Sequence, residues 1–344
     1  MSQETNVYRF ACGKQTAKGT ALAAPTKSLI GVAGDLATNR DQGQEQWSDG
    51  ATMYGGRTQW VNNVVGRGTV GAEFTSSEAA FLMYLFNGAE TVAANVDRPA
   101  WNDHTFVPGL TMPFYSTWWK KQGLANQVQR QKYIDCLVSQ IQLEGSTANK
   151  AIRISPEVLS LDPAQNLTVD PTWPALPTAA DAMIYTEAVG TFKIDTVTIK
   201  GHSQFTVVLN QALDPVWTDD VIPYEVQRGA PQATIACTIQ ADADGLAQWN
   251  KYLYGTATPA DLAKPIKTLP ALGAYEFEAK KGSGAGLTGR LKFSAAGVRW
   301  NLPEWPSPNP AGGGATLSMA GTIEPVTAQP LWQVIVACAD AAFT

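Results

Sequence analysis

The chain is poor in charged side chains. Only 16% of its 344 residues are Asp, Glu, Lys or Arg, against roughly 25% in an average globular protein. A monomer usually needs more charge than this to stay soluble. The chain also holds 11 Trp, 10 Tyr and 11 Phe, so we expect much of its surface to become interface.

Basic clusters are also missing. The net charge is −5, and neighbouring cations form only isolated pairs such as Lys120-Lys121 and Lys280-Lys281. Proteins that grip nucleic acid neutralise its phosphates with a basic patch. The sequence therefore argues against tight binding of DNA or RNA.

Residues suited to catalysis or metal binding are few. Neither His104 nor His202 belongs to a group with metal-ligand spacing. Residues 66–71 match GxGxxG, but they lead into a strand-like run instead of the helix that would hold a pyrophosphate. We therefore expect no enzyme activity, no metal and no cofactor.

The four cysteines are scattered without a Cys-x-x-Cys pair, which favours reduced, buried thiols over a disulfide framework. The first residues lack the basic and apolar regions of a secretory signal. Residues 104–119, a long charge-free run, contain two prolines and mixed polarity, so we expect no membrane span. These features predict folding in a cytoplasm-like compartment.

What the chain does contain is a pattern that occurs twice, Trp-[Ser/Thr]-Asp followed by Tyr. The Trp-to-Tyr spacing is 7 in both copies (54−47 and 224−217). An alternating apolar run and then a helix-like stretch follow each copy in the same order, which indicates a duplicated domain. The shared residues are Trp47, Asp49 and Tyr54 in the first copy and Trp217, Asp219 and Tyr224 in the second.

The residue types alone leave the role of this repeated motif open. Each Trp-Asp-Tyr set could form a corner within its own domain or an aromatic contact between neighbouring subunits. Binding of a ligand is a third reading. The motif sits in two long polar stretches, residues 39–68 and 210–231, which we predict to be extended hairpin loops.

Strand-like alternation dominates the rest, with one predicted helix in each repeat. Ser76-Ser-Glu78 precedes the run 79–86, with Gly88 behind it, and residues 242–245 precede the run 246–254. Seven runs are predicted to be strands: 69–74, 134–143, 192–199, 205–209, 233–239, 291–300 and 331–337.

The predicted fold is mainly β, with two tandem β-sandwich or barrel domains that each carry one flanking α-helix. We place the domains at residues 1–165, the first half, and 183–344, the second half. A proline-rich linker, residues 166–182, joins them.

A family resemblance lies in the order of these elements. The order begins with residues 13–20 and Pro25-Thr26, followed by a first strand near 28–32, a long polar loop, the strand 68–74 and one helix. This order resembles the start of the major tail tube proteins of tailed bacteriophages. The resemblance covers nearly the whole chain as a pattern, without an invariant motif.

The resemblance implies a structural virion protein that self-assembles into stacked rings, with sheet edges joined around a channel for phage DNA. Two tube-like domains per chain imply three chains per ring and pseudo-sixfold symmetry. The implied partners are other copies of the chain, a tape-measure protein and loosely held DNA in the lumen, and terminator and distal tail proteins at the ends. The implied location is the virion tail, after assembly in the host bacterial cytoplasm.

Two other readings remain open from sequence. A tandem carbohydrate-binding or adhesion module of a tail tip would also be all-β, aromatic-rich and duplicated. Another virion structural role, such as decoration or head–tail joining, would have the same composition. Sugar binding by the isolated chain would favour the adhesion module.

Overall fold

The computed structural model describes residues 8–46, 57–122, 127–148, 151–185, 190–301 and 315–343. Antiparallel strands and two helices build this part of the chain, so the predicted mainly β fold is confirmed. The helices are α1 (Ser76–Asn87) and α2 (Ala243–Tyr254).

The strands of the first half are β1 (Tyr8–Lys14), β2 (Lys27–Ser28), β3 (Ala33–Gly34), β4 (Ala37–Gln46), β5 (Arg57–Glu73), β6 (Glu90–Ala94), β7 (Asn102–Phe106), β8 (Tyr115–Gln122), β9 (Val128–Ser146), β10 (Arg153–Ser160) and β11 (Gln165–Asn166). Those of the second half are β12 (Thr191–Ile194), β13 (Val197–Thr198), β14 (His202–Asn210), β15 (Leu213–Val216), β16 (Glu225–Arg228), β17 (Gln232–Gln240), β18 (Gly273–Lys281), β19 (Gly289–Trp300), β20 (Thr316–Ile323) and β21 (Gln333–Cys338).

One antiparallel sheet, here called the joined sheet, runs through both halves. Its order is β4-β5-β10-β9 in the first half and β14-β17-β20-β19 in the second. The two parts meet where β9 pairs with β14. The same sequence of hairpin, helix and returning strands thus occurs in each half.

An antiparallel hairpin precedes the helix in each half. Gln42 faces Val61 across β4 and β5, and Leu213 faces Arg228 across β15 and β16. These two pairs lie 171 residues apart on the leading strand (213−42) and 167 apart on the returning strand (228−61). Residues 39–46 and 57–68 of the first predicted loop, and residues 213–216 and 225–228 of the second, are therefore paired strands.

Each helix follows its hairpin and has the ends that its sequence predicts. The Asp242 carboxylate accepts a hydrogen bond from the Gly245 N–H at 2.9 Å and caps α2. Both helices end at a glycine in the left-handed region, Gly88 and Gly255, each with φ of 77°. The α1 cap differs from the prediction, because Thr75 precedes the helix and its hydroxyl donates to Glu78.

The surroundings of the two helices differ. Ten of the 12 residues of α1 are buried, whereas α2 buries four. The second half covers α1, as the Phe86 and Trp332 rings stack with centroids 6.2 Å apart and the Trp332 indole donates to Asn87 at 3.2 Å. This cover explains why α1 is apolar on every side.

Outer sheets complete both halves. The first is β2-β1-β8-β9, with β11 on the far side of β9, and the second is β13-β12-β18-β19-β21. The hairpin β6–β7 of the first half extends the second outer sheet, because β7 pairs with β21. The halves are therefore joined by strand pairing in two places.

The segment predicted to be a linker lies across the first outer sheet. Asp170 forms ion pairs of 2.8 Å with both Arg130 and Lys120. The Arg9 guanidinium donates to the Pro174 carbonyl at 2.7 Å and lies 4.8 Å from the Trp173 ring centroid. These contacts fix the segment on β1, β8 and β9.

Two strand predictions were wrong. The first strand is β1, and the expected strand 28–32 is reduced to the end of β2. The run 192–199 is a hairpin instead of one strand, because Asp195 and Thr196 adopt positive φ angles of 52° and 71°. Two central residues with φ > 0 make the tight turn that twisted strands favour.

Candidate functional site

The joint between β9 and β14 places an apolar row inside the molecule. Ile141 and Leu209 face each other, as do Leu143 and Val207, and all four side chains are fully buried. Alternation along the strands turns their neighbours to the opposite side of the joined sheet. That opposite side is the candidate functional surface.

We call this side the polar face. In the first half it presents Arg67, Thr69, Glu73, Gln142, Arg153 and Glu157, and in the second half Gln204, Thr206, Thr234, Ala236, Ser318 and Thr322. Cross-strand pairing places these residues on a common side, and all of them are exposed or half-buried.

Charge on the polar face is concentrated in the first half, where Arg67, Glu73, Arg153 and Glu157 carry it. The paired segments 204–210, 232–240 and 316–323 of the second half contain no charged residue. In the first half, the Arg67 guanidinium donates to Glu157 at 2.7 Å. An open hollow of about 380 Å³ lies on the uncharged part, lined by Gln204, Thr206, Ala236, Ser318 and neighbouring residues.

Of the repeated Trp-Asp-Tyr residues, the second set lies in the described part of the chain. Trp47, Asp49 and Tyr54 fall outside the described residues. Trp217, Asp219 and Tyr224 lie in the connection between β15 and β16, where Trp217 is half-buried, Asp219 is exposed and Tyr224 is 66% exposed.

The β15–β16 connection contacts the first half. The Val64 N–H donates to the Val221 carbonyl at 2.8 Å. The Lys18 ammonium lies 5.2 Å from the Tyr224 ring centroid and donates to the Tyr224 carbonyl. This part of the second copy of the motif therefore meets the N-terminal loop.

The histidines take structural positions. His104 is fully buried, with its Nδ1 2.9 Å from the Glu90 carboxylate. His202 contacts the Tyr185 hydroxyl, and burial lowers the pKa of its imidazole. Within the described ranges, no three His, Cys, Asp or Glu side chains are grouped to hold a metal ion.

The cysteines are free and buried, in line with the expectation from sequence. Burial raises the pKa of the Cys136, Cys237 and Cys338 thiols to about 12, and that of Cys12 still further. Thiols with such pKa values remain protonated at neutral pH and are weak nucleophiles. In the described part of the chain, neither helix has the length and apolarity needed to cross a membrane.

Sequence reasoning missed the polar face, because each strand offers two sides and the register is not visible in the sequence. The available signal was the alternation of Thr, Ser, Gln and Ala with large apolar residues in 232–240 and 316–323. That alternation predicts one buried and one solvated side for each strand. It does not predict that β14, β17 and β20 lie side by side and turn their solvated sides the same way.

Fold and surface together describe a mainly β protein that offers an extended polar sheet face. A family model described as phage tail tube protein matches residues 6–330. The chain belongs to this family, and the resemblance recognised in its sequence is confirmed. A search of curated proteins finds no significant match.

Membership in this family establishes the general function of the chain. The chain is a structural tail tube protein of a phage, a class that is generally not enzymatic. The family implies self-association and a place in the virion tail.

Proposed function

We propose that this chain is the repeating subunit of the tail tube, and that its copies form stacked rings whose lumen conducts phage DNA. The observation that supports the proposal is the joined sheet. Its four strands from the first half and its four strands from the second half are hydrogen-bonded into one continuous sheet with one polar face. Further copies added at its ends would continue the ladder and close it into a ring.

The proposed ring contains three chains. A hairpin before each helix, and two helices that lie 167 residues apart at both ends (243−76 and 254−87), support a duplicated tube domain, with the halves at 1–165 and 183–344 and the linker at 166–182. Three chains then supply six domains (3×2) and pseudo-sixfold symmetry. The pairing of β9 with β14 is the contact that neighbouring domains would repeat around the ring.

The polar face is proposed to line the lumen. A lumen must let DNA slide, and phosphate contacts by Lys or Arg add up over many rings. The uncharged segments 204–210, 232–240 and 316–323 avoid such contacts. Two arginines lie on the first-half part of the face. Arg67 is neutralised by its ion pair with Glu157, and the Arg153 guanidinium donates to the Gly31 carbonyl at 3.2 Å.

The Trp-Asp-Tyr positions are proposed to contact neighbouring subunits. Tyr224 and Asp219 are exposed at the tip formed by β15 and β16. We extend the same role to the equivalent positions Trp47, Asp49 and Tyr54, with Trp217 completing the second set. The further proposed partners are a tape-measure protein, a tail terminator and distal tail proteins, and the proposed place of assembly is the host cytoplasm.

Electron microscopy of the purified chain at high concentration tests the proposal. We expect stacked rings or hollow tubes about 100 Å wide, the size that six domains of this size around a channel require. Averaged end views should show six similar lobes, and mass measurement of one ring should give three chains. Six chains per ring would reject the trimer, and a chain that never assembles would reject the function.

A further inference from the structure

The strands β11 and β21 occupy the same place in the two halves but differ in their cover. Gln165 of β11 faces Lys132 of β9, and Gln333 of β21 faces Ser294 of β19. Lys132 and Ser294 lie 162 residues apart (294−132). The same offset separates Cys136 from Val298 (298−136), where β8 and β18 each shift register against their partner strand.

Burial separates the two strands. Four of the six residues of β21 are buried, whereas five of the six residues 165–170 are exposed. Val169, at 73% exposure, is among the more exposed large apolar side chains of the described chain. Leu176, further along the same segment, is 50% exposed.

The hairpin β6–β7 accounts for the difference. It leaves the end of α1 and pairs with the free edge of β21 from Val334–Phe106 to Cys338–Asn102. Among the described residues, no strand pairs with the corresponding edge of β11. The first half therefore covers the second, and its own equivalent edge stays open.

A segment equivalent in position to β6–β7 leaves the end of α2. This segment, residues 256–272, follows Gly255 as the β6–β7 region follows Gly88. It contains no strand and exposes Leu262 at 89% and Leu269 at 75%. Two exposed leucines in one short segment cost solvation that a covering partner would recover.

Leu262 has a second unfavourable feature. Its φ is 59°, in the left-handed region that bulky side chains rarely adopt. Asn or Gly would satisfy this backbone with less strain. An exposed leucine at a strained position does not stabilise the isolated chain. Its side chain would contribute stability only when a partner covers it.

We infer that the segment 256–272 of one chain docks on residues 165–176 of a second copy, covering the edge of β11 as β6–β7 covers β21. The apolar contacts are Leu262 and Leu269 on one copy and Val169 and Leu176 on the other. This inference rests on the proposed assembly and adds the specific surfaces through which the second half of one chain meets the first half of the next.

Cysteine cross-linking between two different chains tests the contact. The four native cysteines are buried, so new surface cysteines will react selectively with a short bismaleimide. The variants Val169→Cys and Leu269→Cys are purified separately, mixed, assembled and treated. We expect a product of twice the chain mass from the mixture and none from either variant alone.

The matched control replaces Leu269→Cys with Val96→Cys. Val96 is 91% exposed near the end of β6, in a hairpin whose partner strand lies in its own chain. The mixture with Val169→Cys should give no cross-link. Assemblies seen by electron microscopy that cross-link neither mixture would overturn the contact and leave the proposed function standing. Failure of the unsubstituted chain to assemble would reject both.

The variant Leu262→Asn separates docking from folding. Asn tolerates positive φ, so the isolated chain should unfold at the same or a higher temperature. The protein concentration needed for assembly should rise about tenfold or more, and tenfold corresponds to about 1.4 kcal/mol. Unchanged assembly by a normally folded Leu262→Asn chain would also overturn the contact.

Discussion

Leu143 and Val207 face each other across the pairing of β9 with β14, and both side chains are completely buried. One residue belongs to the first half and the other to the second. Their buried row continues into a single hydrophobic core that includes residues of both halves. The halves therefore share a core as well as a sheet.

The variant Leu143→Ala should destabilise both halves together. A buried Leu replaced by Ala loses about 2–5 kcal/mol of unfolding free energy, through lost burial and the cavity left behind. Urea unfolding followed by tryptophan fluorescence should show one transition at a lower midpoint. The control Gln142→Ala, on the polar face, should change stability by about 0.5 kcal/mol or less. Two separate transitions would show that the shared core does not couple the halves.

The variant Asp242→Ala should lower stability by about 1 kcal/mol, because it removes the side chain that caps α2. The Asp242 carboxylate accepts from the Gly245 N–H at 2.9 Å. Asp242→Asn, which keeps a capping oxygen, should retain most of the stability. Equal losses for the two variants in urea unfolding would contradict a capping role.

The stability that Asp170 contributes should depend on pH. Hydrogen bonds from Arg130 and Lys120 hold the pKa of its carboxyl at about 2, below an unfolded value of about 3.9. The contribution is therefore complete above the unfolded pKa and is lost as the pH falls through the folded one.

The variant Asp170→Asn measures that contribution. The carboxylate is 37% exposed, so solvent screening limits the loss at pH 7 to about 1 kcal/mol or less. The difference between the variant and the parent chain, measured by urea unfolding, should shrink toward zero near pH 2. A difference that stays constant across this range would show that the carboxylate charge is not its cause.

The variant Ala236→Lys should make assembled tubes hold DNA. Ala236 is exposed in the uncharged part of the polar face, and a Lys there adds one phosphate-binding charge per chain in every ring. DNA should co-sediment with the variant tubes at low salt and be released at high salt. Ala236→Gln, which adds bulk without charge, is the control. Variant tubes that bind no DNA at low salt would place the polar face outside the lumen.

Local features of the fold could be read from the sequence. Both helices were predicted, because glycine caps and flanking acidic or hydroxyl residues act within one turn. Residues 69–74 were predicted to be a strand, and 69–73 lie in β5. Gly68 there is required for a close approach, since a Cβ would lie 2.0 Å from the Asp35 carbonyl oxygen.

Long-range features could not be read in this way. β9 serves both the outer sheet and the joined sheet, and Asp135 within it has a φ of 52°. Gln15, 120 residues away, holds this position by donating to the Asp135 carboxylate and accepting from its N–H, each at 3.0 Å. No local sequence pattern predicts a positive φ angle at Asp135 that is stabilised by so distant a residue. The composition of the polar face was visible in the sequence, whereas its location depends on strand register and was not.

The pairing of β9 with β14 does not depend on protein concentration. It connects two parts of one polypeptide, so it forms at an effective concentration set by the chain and stays formed at any dilution. Contacts between chains follow mass action instead. In the proposed assembly, each chain would therefore bring one such junction already formed, and only the contacts between chains would depend on protein concentration.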